Sequence, residues 1–421
     1  MIRTTRLDNG IRVVTESMPH VSSVAAGFWV GTGSRDEPSR LAGASHFLEH
    51  LLFKGTPTRT AAEIAEAVDA VGGDMNAFTT KEYTAFYVRV LGESLDLGLD
   101  ILSDVMWDPA FRPDEVEAER QVIVEEILMH SDEPSELVHD RLLEGLFPGH
   151  PLGRDVLGDE ESIAAMQVDE IRSFHQDHYR PGNIVVALAG RLEHDEVVAG
   201  ISRRFSGVPG GEAPGRVAPE VSTVPVVLTN RPTEQAHVVL GVPTFGRHDE
   251  DRFCLAVLDH VLGGGLSSRL FQEIRERRGL AYSVYSYRTT FDDAGVLAFY
   301  AGTAPARARE VLDRMVGELS KVTSEGVTER EVAVAKGHIR GETALSLEDS
   351  AARMSRVARS EMLHGEVMDV DDVLARIEAV TAEDVGRVAT RLLGVEPVLA
   401  VVGPFEAGDF PPLDRSAMGV A

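Results

Sequence analysis

The sequence predicts an α+β fold built twice in tandem, and three observations carry that reading. Helix and strand signals follow one another without the regular alternation of a doubly wound parallel sheet. Asn9-Gly10, between TTRL and IRVVTE, is a two-residue hairpin signal that opens the chain with an antiparallel strand pair. The two halves end alike: VDEIRSFHQDHYRPGNIVVALAG from Val168 parallels TAEDVGRVATRLLGVEPVLAVVG from Thr381, each a helix leading into an apolar strand. RPDEVEAERQVIVEE from Arg112 parallels TEREVAVAKGHIRGE from Thr328. A period near half the chain is too long for a solenoid repeat and reads as a duplication. Between the copies, VPGGEAPGRVAP from Val208 is rich in Pro and Gly and lacks apolar periodicity. The expected division is therefore residues 1–208, a linker at 209–219, and residues 220–421, with helices covering one face of each sheet.

Along the chain, the next signal after the hairpin is His46-Phe-Leu-Glu-His50. At about 100° per residue, His46, Glu49, His50 and Phe53 share one helix face, and Phe47, Leu48, Leu51 and Leu52 the other. One face can be buried while two imidazoles and a carboxylate face a cleft, the arrangement a zinc peptidase site needs. Thr60-x-x-Glu63 is a capping box opening a helix through Ile64, Val68 and Val71, which Gly72-Gly73 ends. Thr84, Phe86, Val88 and Val90 alternate as in a half-buried strand. Pro113 to His130 reads as a helix, with Asp114 and Glu115 in its first turn and Val116, Val122, Ile123 and Ile127 at helical spacing. Two histidines fill half of a tetrahedral zinc site, and a catalytic site wants a third protein ligand beside an open position. Glu119 and Glu126, seven residues apart, lie within about 20° of rotation on that second helix, whereas Glu125 points about 100° away.

The residues GASHFLEHLLFKGT (43–56), NAFTTKEYTAFYV (76–88), ERQVIVEEI (119–127), HYRPGNIVVALAG (178–190) and RERRGLAYS (275–283) resemble the M16 family of inverted-zincin metallopeptidases along nearly the whole chain. Within the family the likeness is to the beta-type subunit of the mitochondrial processing peptidase and its bacterial single-half homologues. The resemblance implies two similar domains, each a mostly antiparallel sheet, with only the first binding metal. It assigns His46, His50 and Glu126 to one Zn2+ per chain, Glu126 standing 76 residues after His50. A bound zinc would bring water near neutral pKa, with Glu49 as general base and Glu119 as a carboxylate orienting a ligand histidine. It also assigns Asn76, Ala77, Phe78 and Thr79 to an exposed edge that pairs with the substrate backbone. Arg275 and Tyr282, in the second domain, would contact substrate and stabilise the developing oxyanion.

The implied function is a zinc endopeptidase acting on peptides or unfolded segments inside a dimer chamber, a homodimer in which Arg275 and Tyr282 act in trans. The competing readings are a non-catalytic partner or scaffold of the same fold, and a small-molecule zinc hydrolase on another fold. His175 and His178 lack a carboxylate at ligand spacing and are expected to be structural. Gly263-Gly264-Gly265 has no Gly-Lys-Ser/Thr after it and is no phosphate loop.

Composition agrees. A net charge of −27 argues against nucleic-acid or anionic-membrane binding and would favour cationic peptides. The first residues lack the apolar core of a secretion signal, and no later run reaches the length of a membrane span. The single cysteine, Cys254, lies in an apolar run, which excludes an intramolecular disulfide and suits the cytoplasm.

Overall fold

The computed structural model describes residues 1–212, 214–220 and 222–419. Its packing divides the chain into two compact units that differ from a cut at 208–220. The first comprises residues 1–128, 154–216 and 343–368, and the second 129–153, 217–342 and 369–421. Each unit thus takes in one segment from the opposite half of the chain. The passage between units at Arg216–Val217 falls inside the expected linker, whose described residues form no helix or strand. Ala213, within that stretch, lies outside the described residues.

In the first unit, β1 (Ile2–Arg6), β2 (Arg12–Ser17), β3 (Ser23–Val30), β4 (Asp74–Thr79), β5 (Thr84–Leu91) and β6 (Ile184–Gly190) form one sheet in the order β1-β2-β6-β3-β5-β4. Only the β2–β6 pair is parallel. The β1–β2 hairpin forms with a longer turn than a two-residue loop. Leu7 N–H donates to the Ile11 carbonyl, and Gly10 adopts φ +104°, a conformation that suits glycine. The helices α1 (Ala44–Leu52), α2 (Ala61–Asp69), α3 (Leu95–Trp107) and α4 (Pro113–Ser131) follow, α4 carrying the chain past the unit boundary. The Thr60–Glu63 capping box is present at the start of α2.

One face of this sheet, built by Val24, Ala26, Phe28, Val30, Phe86, Val88, Val186 and Leu188, packs with Phe47, Leu48, Leu51 and Leu52 of α1 and Leu99 and Leu102 of α3. The other face, with Ala25, Trp29, Val185, Ala187 and Ala189, packs against Met354, Val357 and Ala358 of the helix Ser350–His364. That helix comes from the second half of the chain. Because both faces are covered, β3 and β6 are apolar throughout instead of alternating, as doubly buried strands are.

The second unit repeats the plan. β7 (Val226–Asn230), β8 (Ala236–Thr244), β9 (Ala281–Thr290), β10 (Gly295–Thr303) and β11 (Val398–Gly403) lie in the order β7-β11-β8-β10-β9, the order of β2 to β6 in the first unit. The parallel pair recurs at the matching place, β7 with β11. One face packs against helices including Arg252–Leu262, Ala308–Glu325 and Ala382–Leu393. The other carries α5 (Pro134–Leu146), through Leu137, Val138, Leu142 and Leu146, and α5 belongs to the first half of the chain. The α+β class and mostly antiparallel sheets are as expected, and the single helix lent to the far face of each sheet is an addition to the layer on one face. Among the described residues no helix is long and apolar enough to cross a membrane.

Candidate metal centre

The site grows from the start of α1. Gly43, its N-cap, has φ +89° and no side chain to cap with. Glu37, from the preceding loop, takes that role: its Oε2 accepts the Gly43 N–H at 2.8 Å and its Oε1 the Ser45 N–H at 2.7 Å. Burial pushes the Glu37 carboxyl up to about 7, against the pull of the two backbone donors and Arg154. With its N-terminus held, α1 buries Phe47, Leu48, Leu51 and Leu52 in the core and turns His46, Glu49 and His50 away from it.

α4 brings the carboxylates. Val116, Ile123 and Ile127 anchor it to the core, and Glu119 and Glu126 lie along the flank beside them, Glu119 buried and Glu126 half-buried. Glu125 is exposed and outside the cluster. His46 Nε2 and His50 Nε2 are 3.2 Å apart, and Glu126 Oε2 is 3.6 Å from each. Three donors on a tetrahedral zinc ion at 2.0–2.1 Å would stand about 3.4 Å from one another. A direct N–H···N hydrogen bond would account for the two nitrogens but not for a carboxylate oxygen equidistant from both. The donor set and its spacing fit a zinc ion.

The surrounding contacts suit that fit. His50 Nδ1 is 2.8 Å from Glu119 Oε1, so with the proton on Nδ1 the Nε2 lone pair faces the other two donors. Glu119 Oε2 is 2.6 Å from Lys54 Nζ. Burial, then the neighbouring His50, lowers His46 to about 3, leaving its ring neutral and able to act as a ligand. Burial raises the Glu49 carboxyl, opposed chiefly by a 2.6 Å hydrogen bond donated by Thr79 Oγ1 to Glu49 Oε2.

Of the four residues expected at a substrate edge, Thr79 is therefore the one drawn to Glu49. Asn76, Ala77 and Phe78 lie with it on β4, the edge strand of the sheet, where the Ala77 N–H donates to Asn76 Oδ1 at 2.8 Å. His175 and His178 are buried core residues: His175 Nε2 bonds the Met106 carbonyl at 2.9 Å and His178 stacks on Phe174.

In the second unit, Arg275 sits in a π-helical turn, Phe271–Glu276, a form enriched at functional sites. Its guanidinium carbon lies 4.8 Å from the Phe271 ring centroid and 4.7 Å from that of Tyr282. Neighbouring arginines are engaged by carboxylates, Arg277 and Arg278 by Glu273 and Arg269 by Glu331, whereas Arg275 is held between ring faces. Arg275 and Tyr282, the latter 82% exposed, line a cavity of about 480 Å³ with Glu234, Gln235 and Arg307.

The helix Arg252–Leu262 follows β8 as α1 follows β3, and its Asp259-His260 matches Glu49-His50, with Ala256 in place of His46. The pair of histidines does not recur, although its second member does. His260 stacks on His338 with ring centroids 4.2 Å apart and, among the described residues, joins no three-donor cluster. Sequence reasoning missed Glu37 and Lys54. Lys54 had a signal, its place one turn beyond His50, and Glu37 had none, since a loop has no period.

The chain matches the family described as "Insulinase (Peptidase family M16)" over residues 12–160 and "Peptidase M16 inactive domain" over residues 165–338. It is 47% identical to an uncharacterized zinc protease of Streptomyces coelicolor, covering 96% of this chain and 90% of that one. An uncharacterized zinc protease of Bacillus subtilis is 39% identical, with 98% and 100% covered. In fold it resembles a Helicobacter pylori protease, at TM-score 0.89 and 23% identity, with 96% and 99% covered. A Pseudomonas fluorescens peptidase M16 inactive domain gives TM-score 0.90 at 21% identity, with the same coverage.

Proposed function

The chain belongs to peptidase family M16, and from that premise we propose that it is a zinc-dependent endopeptidase that hydrolyses peptides or unfolded polypeptide segments. The observation that carries the proposal is the convergence of His46 Nε2, His50 Nε2 and Glu126 Oε2 beside a Glu49 held by Thr79. Zinc, when bound by these three residues, supplies a Lewis acid for the scissile carbonyl and lowers the pKa of water to near 7.

The chain's own groups do the rest. Glu49 removes a proton from the attacking water and later delivers it to the leaving amine. Burial raises its carboxyl toward the pKa such a shuttle needs, and the Thr79 hydroxyl fixes which oxygen is free. Glu119 orients the His50 ring. The free edge of β4, at Asn76 to Thr79, takes the substrate as an added strand, so main-chain pairing holds it with little demand on sequence. Arg275 and Tyr282 donate to the oxygen that gains charge, Arg275 preset by its two aromatic neighbours.

The working form in this reading is a cytoplasmic homodimer enclosing its substrate, with Arg275 and Tyr282 of one chain serving the zinc site of the other. Mixing Glu49→Gln chains with Tyr282→Phe chains then regenerates one intact site per mixed dimer, and no recovery of activity would remove the trans arrangement. The primary experiment is cleavage of a quenched fluorescent peptide library by purified protein, with chelator, with zinc restored, and beside Glu49→Gln. Cleavage lost on chelation, regained with zinc and absent from the variant supports the peptidase. No cleavage by the zinc-loaded wild type would instead favour a non-catalytic partner of the same fold.

A further inference from the structure

We propose that Lys54 is a positioning residue of the zinc site, acting through Glu119; this rests on the peptidase reading above. A single carboxylate spans the two groups: Glu119 Oε1 lies 2.8 Å from His50 Nδ1, and Oε2 lies 2.6 Å from Lys54 Nζ. Lys54 follows His50 by four residues, in the turn that ends α1, where its N–H bonds the Leu51 carbonyl. The element that presents the imidazole therefore also supplies the cation. Glu119, arriving from α4, is clamped at both oxygens by the helix it has to orient.

The clamp answers a physical need. A carboxylate's terminal torsion is broad, and so is the ring torsion of a histidine, so one hydrogen bond between them leaves both free to swing. The Glu119 side chain is only 7% exposed, so an oxygen without a donor there would be left buried and unpaired, at the expense of the geometry around it. The adjacent Arg120 does not serve, because its guanidinium is turned to the carbonyls of Ile163 and Met166 and to Glu117. Lys54 is 34% exposed and fills no core position, so its replacement tests orientation without emptying the interior.

The test is zinc affinity of the full chain, measured by competition with a fluorescent chelator, for wild type, Lys54→Met, Glu119→Gln and the double variant. Glu119→Gln should weaken zinc by roughly 10- to 100-fold, the usual effect of losing a ligand's hydrogen-bond partner. Lys54→Met should weaken it about 10-fold, and in the Glu119→Gln background should change nothing further, because its route to the metal is gone. A bystander lysine would give wild-type affinity, and a lysine acting on its own would give losses that add; either result overturns the proposal. Tryptophan fluorescence of each variant checks that the fold is retained. A wild type that binds no zinc would take down the peptidase reading itself and this proposal with it, whereas a wild type that binds zinc with no response to Lys54→Met takes down this proposal alone.

Discussion

Replacing Glu37 by Gln should change how the stability of the first unit depends on pH. In the native protein burial lifts this carboxyl from 4.5 to about 7. At 1.36 kcal/mol per pH unit that displacement is worth about 3 kcal/mol. Because the native pKa lies above the unfolded one, the native state holds a proton that the unfolded chain has lost. The stability it contributes is full below about pH 4.5, declines as pH rises, and levels off above about pH 7. Glutamine has the shape of the protonated acid and does not titrate, so subtracting the variant's unfolding free energy from that of the wild type isolates this group. Between pH 5.5 and 8 the difference should fall by about 2 kcal/mol. The lower limit keeps the protein clear of its pI near 4.9. Urea unfolding of zinc-free protein, followed by tryptophan fluorescence, is the assay, since Trp29 and Trp107 both lie in the same unit as Glu37. A difference that stays flat would mean that Gly43, Ser45 and Arg154 cancel the cost of burial, and one that rises with pH would mean that they outweigh it. Either refutes the reasoning.

Other substitutions probe the site and its supports. Thr79→Val should lower kcat about 10-fold with zinc content and KM unmoved, the cost of one charge-assisted hydrogen bond to Glu49, and Thr79→Ser should restore most of it; an effect on KM alone would return Thr79 to substrate binding. Gly43→Ala should cost about 2 kcal/mol or more by urea unfolding, because φ is +89° and the new Cβ would meet the Leu157 carbonyl oxygen at 2.5 Å; an unchanged midpoint would show that the α1 start is compliant. Phe271→Leu should reduce kcat/KM several-fold with zinc affinity intact, since it removes one wall of the Arg275 sandwich, and full activity would show that Tyr282 suffices.

The sequence was most legible where chemistry imposes a spacing. The positions of His46, Glu49 and His50 on one turn, and of Glu119 and Glu126 two turns apart, follow from helix geometry, and the capping box at Thr60 marked the start of its helix to the residue, although the helix ends at Asp69, before the Val71 and Gly72-Gly73 expected to close it. What escaped depends on distant partners. Nothing in the sequence around Glu37 says that its carboxylate will meet a helix end six and eight residues on, and the place of Lys54 one turn beyond His50 puts it near the site without saying that its ammonium will meet a carboxylate 65 residues away. The exchange of helices was hidden for a similar reason. α5 and Ser350–His364 are ordinary amphipathic helices, and an apolar stripe states that something will be covered without stating what. The continuous apolar runs of β3 and β6, and of β10 and β11 in the second unit, were the trace of that exchange, since a strand covered on both faces has no polar side to alternate.

Those lent helices set an order on biogenesis. A ribosome adding 5–20 residues per second releases the last strand of the first sheet long before it reaches Ser350–His364, roughly 150 residues beyond Arg216. For about 7 to 30 seconds the nascent sheet must keep the face with Ala25, Trp29 and Ala187 uncovered. Vectorial folding of the first half, finished before the other half emerges, is therefore not open to this chain. Its first unit closes only when the second is nearly complete, so a chain built this way acquires its finished scaffold late, after most of the polypeptide has left the tunnel.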